Sequence, residues 1–169
     1  IRLDKNGRGE LSSKKELKEG AFIMYFHGTK YFDLLIGKDK NINVEIKDTL
    51  SLPESVVITG ARESVDFHNY ALKLKSSQQS YSKIGEQLKN TEDSLAKVNL
   101  QAQAKAIYES VNATRDSLIE ANPGTMLSIF LNGIKTPEYV VDENIPDSLR
   151  PMHRYLFEKE HYLDNLDLS

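Results

Sequence analysis

The sequence contains no cysteine among its 169 residues. Without a thiol the chain cannot form a disulfide, a thiolate nucleophile, a thiolate zinc site or an iron–sulfur site. A strong excess of basic charge is also missing, because 22 Lys and Arg residues stand against 25 Asp and Glu residues. Nucleic-acid binding is therefore not expected, since phosphate backbones attract basic surfaces.

Long apolar runs are missing as well. The longest run, residues 21–26, is far shorter than the roughly 20 residues that a membrane-spanning helix needs, so no transmembrane segment is expected. The chain begins at Ile1 without a charged and apolar leader and stops at Ser169 without a polar tail. We interpret both ends as cuts in a longer protein from which any signal segment has been removed.

Sequence signatures of catalysis are lacking too. There is no Gly-x-Ser-x-Gly motif for a hydrolase nucleophile and no glycine-rich phosphate-binding loop. The run from Asp4 to Gly9 resembles the start of a calcium loop. However, Arg8 is a cation at the fifth loop position, and Lys15 replaces the bidentate Glu at the twelfth. A turn is the better interpretation.

The four histidines do not form a metal-binding pattern. Glu158-x-x-His161 has the spacing of half a di-iron site, but no second copy of the motif exists. His153 and His161 are two helical turns apart, roughly 12 Å along a helix axis, which is too far for one ion without further ligands. We therefore expect no catalytic, cofactor or metal site, and no enzyme activity of this chain by itself.

The first 60 residues have the pattern of an antiparallel β-sheet. Asn6-Gly7 favours a tight hairpin turn, and a second hairpin is expected between the apolar runs 22–26 and 31–36. Residues 41–46 alternate apolar and polar side chains, and residues 56–58 form another short apolar run. The pattern predicts a sheet or half-sandwich of about five strands.

From Ala61 onward the apolar spacing changes to that of helices. A helical region should run to about Glu120. Either one long helix or a helical hairpin fits, and the hairpin, with a break near residues 90–93, is favoured because a single helix would be about 87 Å long. A short apolar helix is expected at 125–133, and Asp147 or Ser148 should cap a last helix. The fold class is thus α+β, with a β domain at 1–60 and a helical domain at 61–169.

Aromatic residues concentrate in two neighbouring predicted strands. They include Phe22, Tyr25, Tyr31 and Phe32. Such residues usually form core, but strand side chains alternate between faces, so about half of them could lie on an open face of the sheet. That face would be a candidate surface for a ligand, a partner protein or a second copy of the chain.

The C-terminal run His161-Tyr162-Leu163-Asp164-Asn165-Leu166-Asp167-Leu168-Ser169 resembles a segment of the envelope thiol-disulfide interchange proteins of certain anaerobic gram-negative bacteria. In that family the segment closes a helical region ahead of a thioredoxin-like domain. The turn at residues 4–9, the strands at 30–36 and 57–64 and the helix junction at 121–125 are similar to upstream parts of the same family.

The resemblance implies a periplasmic or outer-envelope location and a downstream thioredoxin-like domain that carries a C-x-x-C pair. No catalytic residue carries over, because that pair lies outside this sequence. The chain would be a non-catalytic accessory region that contacts the downstream domain or a substrate protein. Four residues of the matching segment are candidates for such a contact: His161, Tyr162, Asp164 and Asn165. The alternative is a free-standing binding module that uses the aromatic strands 22–36.

Overall fold

The computed structural model describes residues 2–25 and 30–164. Within them the chain forms four strands and then four helices, so the fold is α+β as predicted. The strands are β1 (Gly20–Tyr25), β2 (Tyr31–Ile36), β3 (Ile42–Ile46) and β4 (Val56–Gly60), and the helices are α1 (Arg62–Asn90), α2 (Ser94–Ala121), α3 (Met126–Gly133) and α4 (Arg150–His161).

The strands form two antiparallel hairpins. Among the described strands, β1 pairs with β2 alone, and β3 pairs with β4 alone. Alternate side chains of both hairpins face a shared apolar cluster, because successive residues of a strand point to opposite faces. Its buried members are Phe32, Leu34, Ile36, Val56 and Ile58. The hairpins thus pack against each other like two small layers.

The predicted sheet or half-sandwich of about five strands is not confirmed, because the strands form two separate two-stranded sheets. The described residues contain four strands, and residues 2–19 form none. The predicted turn does form, since Gly7 has a φ of +73° and the side chain of Asp4 accepts hydrogen bonds from Asn6 and Arg8. Its flanks stay outside a sheet because the residues around it are exposed and bury no apolar face.

The helical hairpin was predicted correctly, with α1 and α2 separated by residues 91–93. Asp93 caps the start of α2, because its carboxylate accepts a hydrogen bond from the Leu95 N–H. Across the hairpin, the Tyr81 hydroxyl donates to the Ala104 carbonyl at 2.8 Å. This bond ties the helices together beyond their main core.

The two shorter helices begin differently. Thr125 and Ser128 form a capping box at the start of α3, as the prediction of a short helix from Thr125 requires. The predicted cap of the last helix was wrong: α4 begins at Arg150 after Leu149, and no side chain caps it. Pro151 explains this start, because proline at the first or second helical position lacks an N–H that would need a partner.

A second apolar cluster joins the strands to the helices. Leu35, Phe67, Tyr70, Leu127 and Leu131 are its buried members, and they come from β2, α1 and α3. Leu35 points away from the cluster between the hairpins and inserts among the helices. The β and helical regions therefore share a core.

Gly60 makes the sharp passage from β4 to α1 possible. Its φ is +97°, which L side chains rarely adopt, and a Cβ atom would lie 2.1 Å from the carbonyl oxygen of Asn41. A glycine is required there, and it places α1 directly across the hairpins.

Candidate interaction surfaces

The four aromatic residues proposed from the sequence divide between the two faces of the first hairpin. Phe32 is buried in the cluster between the hairpins and Phe22 packs against that cluster. Tyr25 and Tyr31 are opposite each other across the strand pair and are exposed. Of the four, the two tyrosines are therefore the ones that a partner could reach.

Ile23 extends this outer face along β1. It lies two residues from Tyr25 and opposite Asp33. Ile23, Tyr25 and Tyr31 are 64%, 69% and 53% exposed, and we call these three residues the strand patch. Large apolar side chains grouped on one face of a strand pair are a candidate contact surface rather than isolated surface residues.

A polar junction at the start of α1 connects the two hairpins. Its members are Glu63, Ser64 and His68. The Ser64 hydroxyl, which is fully buried, donates to the Leu35 carbonyl at 2.5 Å. The buried His68 ring donates from Nε2 to the Val56 carbonyl at 3.0 Å, because a carbonyl can only accept. One helix thus holds a carbonyl of each hairpin.

Glu63 connects the same junction to α3. One carboxylate oxygen accepts from the Lys38 N–H at 3.3 Å, and the other accepts from the Leu127 N–H at 3.1 Å. The negative charge also lies at the N-terminal end of α3, where unpaired N–H groups favour an anion. Gly37 leaves the necessary space, since a Cβ there would lie 2.1 Å from a Glu63 carboxylate oxygen.

The sequence analysis did not identify the polar junction. The available signal was Glu63-Ser64 directly after Gly60, where an acidic residue and a hydroxyl occupy the first turn of a predicted helix. Their partners are 25 to 64 residues away, so the sequence pattern gave no sign of them.

No family model matches this chain, and comparison with curated proteins and with solved structures also gives no match.

The second candidate region from the sequence is at the end of α4. There the rings of Tyr139, His153, Phe157 and His161 lie next to one another in a tilted arrangement that we call the ladder. The centroid of the Phe157 ring is 4.4 Å from that of His161 and 5.4 Å from that of Tyr139. Both histidines suggested by the weak metal pattern belong to this ladder.

The imidazole of His161 is also paired with a carboxylate. Its Nδ1 lies 2.7 Å from Oδ2 of Asp164, as in a hydrogen bond from N–H to carboxylate. The pair is partly exposed. Tyr162 is exposed beside the pair, while Asn165 lies outside the described residues. Three of the four C-terminal candidates thus adjoin one another.

α4 presents a further apolar face. Leu149, Met152 and Leu156 are all exposed, and their spacing puts them on one side of the helix. They are distinct from His153, Phe157 and His161, which form the ladder.

The described residues contain no group of three or more His, Cys, Asp or Glu side chains that is placed to hold a metal ion. A surface groove near the tip of the helical hairpin is lined by Lys83, Asn90 and Leu100, and another lies between serines of α1 and α2. Neither contains an aromatic or histidine candidate. Among the described helices, none has the length and apolar character needed to cross a membrane.

Proposed function

We propose that this chain is a non-catalytic accessory region of a thiol-disulfide oxidoreductase of the bacterial cell envelope, in which it binds a protein partner. The observation that carries the proposal is the strand patch, an exposed tyrosine pair with a neighbouring isoleucine on a hairpin that Ser64 of α1 also holds through the Leu35 carbonyl. A surface of this type suits contact with another polypeptide.

Two further features support this role. The chain has no cysteine, so thiol-disulfide exchange would require the C-x-x-C pair of a thioredoxin-like domain farther along the same polypeptide. The segment that resembles the lead-in to such a domain starts where α4 ends, at His161. The exposed side of α4, with Leu149 and Met152, would adjoin that domain.

The reading frame beyond Ser169 provides a direct test of this role. A continuous frame that encodes a C-x-x-C pair in a thioredoxin-like sequence is the expected result, and a stop codon immediately after Ser169 contradicts the proposal. An insulin-reduction assay adds a biochemical check: the chain alone should give no turnover above background, whereas the longer protein should give turnover that depends on both cysteines.

A free-standing module that binds a protein or a ligand through the aromatic strands is the second candidate. The cross-strand pair of Tyr25 and Tyr31 favours it, because both side chains remain exposed within the chain itself. The two candidates share a binding surface and differ in whether a thioredoxin-like domain continues the polypeptide beyond Ser169. A stop codon there, together with binding that depends on Tyr31, would favour the free-standing module.

A further inference from the structure

β1 has an open edge. Its only strand partner among the described residues is β2, and no described residue outside that hairpin makes a backbone hydrogen bond to it. An edge strand directs the N–H and C=O groups of alternate residues away from its partner. Those groups can be paired in a continuous row only by another extended backbone.

The edge of β1 also lacks the usual protection against strand pairing. Residues 20–25 include no charged residue and no proline, and no bulge interrupts their register with β2. Charged side chains and proline are the devices that commonly block such edges. β3, the corresponding edge of the second hairpin, carries Asn43 and Glu45 on its exposed face. β1 therefore carries fewer of these blocking devices than β3 does.

The size of the strand patch indicates what kind of partner fits. Tyr25 and Tyr31 expose on the order of 250 Å² together, since an aromatic side chain carries about 150–250 Å², and one further side chain, Ile23, completes the patch. A stable dimer takes about 800 Å² from each subunit. The patch is too small for a second copy of the chain, but it suits a short extended segment whose main-chain hydrogen bonds contribute most of the affinity.

We propose that the open edge of β1 binds an extended segment of a partner polypeptide by strand addition. The bound segment pairs its backbone with β1 and places uncharged, apolar side chains at alternate positions beside Ile23 and Tyr25, on the same face of the sheet. This inference rests on the proposed partner-binding role and deepens it by naming the class of partner: an unfolded or extended stretch of protein rather than a folded domain.

The test uses a fluorescein-labelled peptide of ten alternating valine and threonine residues with a lysine at each end. Its binding to the whole chain is measured by fluorescence anisotropy. A matched peptide carries proline at two successive central positions, which removes a backbone N–H from each of its edges. The first peptide should bind with saturation, and the proline peptide should bind at least about tenfold more weakly.

Ile23→Lys places a charge on the edge without touching the core, because Ile23 is largely exposed. It should weaken peptide binding by about tenfold or more. Asn43→Lys is the matched control on the other edge and should change the affinity by less than about twofold. Ala21→Lys, which lies on the same exposed face of β1, repeats the test if Ile23→Lys alters the unfolding curve.

Three results would overturn the proposal: no saturable binding by the parent chain, equal binding of the two peptides, or equal effects of Ile23→Lys and Asn43→Lys. Analytical ultracentrifugation tests whether a second copy of the chain occupies the edge of β1 instead. A dimer that Ile23→Lys dissociates would assign the edge to a second copy and contradict strand addition by a partner. Because none of these measurements depends on the reading frame beyond Ser169, the strand-addition inference and the oxidoreductase assignment fail separately.

Discussion

The carboxylate of Glu63 accepts a hydrogen bond from the backbone N–H of Leu127 at 3.1 Å, across 64 residues of sequence. The bond joins the first turn of α1 to the first turn of α3. The second oxygen of the same carboxylate accepts from Lys38, after β2. One side chain thus connects the first hairpin, the helical hairpin and α3.

We expect Glu63→Ala to lower the free energy of unfolding by about 1–3 kcal/mol, because two backbone N–H groups lose their acceptor. Urea denaturation followed by circular dichroism measures the change. Glu86→Ala is the control on the exposed side of the same helix and should stay within about 0.5 kcal/mol of the parent. An equal effect of the two substitutions would contradict the role of the junction.

Gly37→Ala tests the same contact from the other side. The added Cβ would meet the Glu63 carboxylate at 2.1 Å and must displace it from both N–H groups. Since those hydrogen bonds can be lost only once, the double variant Gly37→Ala/Glu63→Ala should be less destabilised than the sum of the single variants. Strict additivity would show that Gly37 does not act through Glu63.

The structure also explains which elements could be predicted from the sequence pattern and which could not. Local alternation of apolar residues located the hairpin of β1 and β2, and the excessive length of a single helix favoured the break between α1 and α2. The prediction of strands failed at residues 2–19. The Asn6-Gly7 turn forms there by local hydrogen bonding, but no buried apolar surface stabilises flanking strands. Turn chemistry alone does not make a sheet.

The candidate surfaces could likewise be predicted only in part. Strand alternation correctly implied that some aromatic residues would face outward, but the exposed pair of Tyr25 and Tyr31 became identifiable only from the strand register. The bond between Glu63 and Leu127 has no local signature, because it depends on α3 folding back onto α1. Contacts over such distances are set by tertiary packing, which a single sequence does not display.

Two tyrosines should respond in opposite ways to loss of the hydroxyl. Tyr139 has a buried Oη without a hydrogen-bond partner among the described residues, whereas the Tyr81 hydroxyl donates to Ala104. Tyr139→Phe should leave the free energy of unfolding unchanged or raise it, because an unsatisfied polar atom disappears. Tyr81→Phe should lower it by about 0.5–1.5 kcal/mol. Thermal and urea unfolding compare the variants, and a larger loss for Tyr139→Phe would contradict this interpretation.

The loop between β3 and β4 should make stability depend on acid. Lys75 donates a hydrogen bond to Glu54 at 2.7 Å and holds the pKa of that carboxyl below its usual range. A carboxyl with a lowered pKa in the folded state stabilises the fold above its unfolded pKa, and this contribution disappears as the pH falls through the folded pKa.

Between about pH 5 and pH 3, Glu54→Gln should therefore show a flatter decline in the free energy of unfolding than the parent. Urea titrations at a series of pH values measure the slope. Glu92→Gln, at an exposed position between α1 and α2, is the control and should follow the parent curve. Parallel curves for Glu54→Gln and the parent would remove Lys75 as the cause.

Tyr70 should make the fold sensitive to alkali. It is only 4% exposed and belongs to the core that Leu35, Phe67 and Leu127 also form. Burial raises the pKa of its hydroxyl, because the ionised phenolate is poorly solvated there. The folded state therefore binds this proton more tightly than the unfolded state does.

The stabilisation linked to that proton is fully present below the unfolded pKa of about 10 and is lost as the pH rises through the folded pKa. Tyr70→Phe keeps the ring in the core and removes the titrating group, so its free energy of unfolding should decline less than that of the parent between about pH 9 and pH 11. Urea unfolding across this range gives the slope.

Tyr108→Phe, at an exposed position of α2, is the matched control and should retain the alkaline decline of the parent. Absorbance of the tyrosinate ion adds an independent measurement: the folded parent should show a step above the usual pKa range of tyrosine, and this step should vanish in Tyr70→Phe but persist in Tyr108→Phe. If Tyr70→Phe and the parent lose stability with the same slope, the alkaline transition arises elsewhere, and the packing of Tyr70 does not control it.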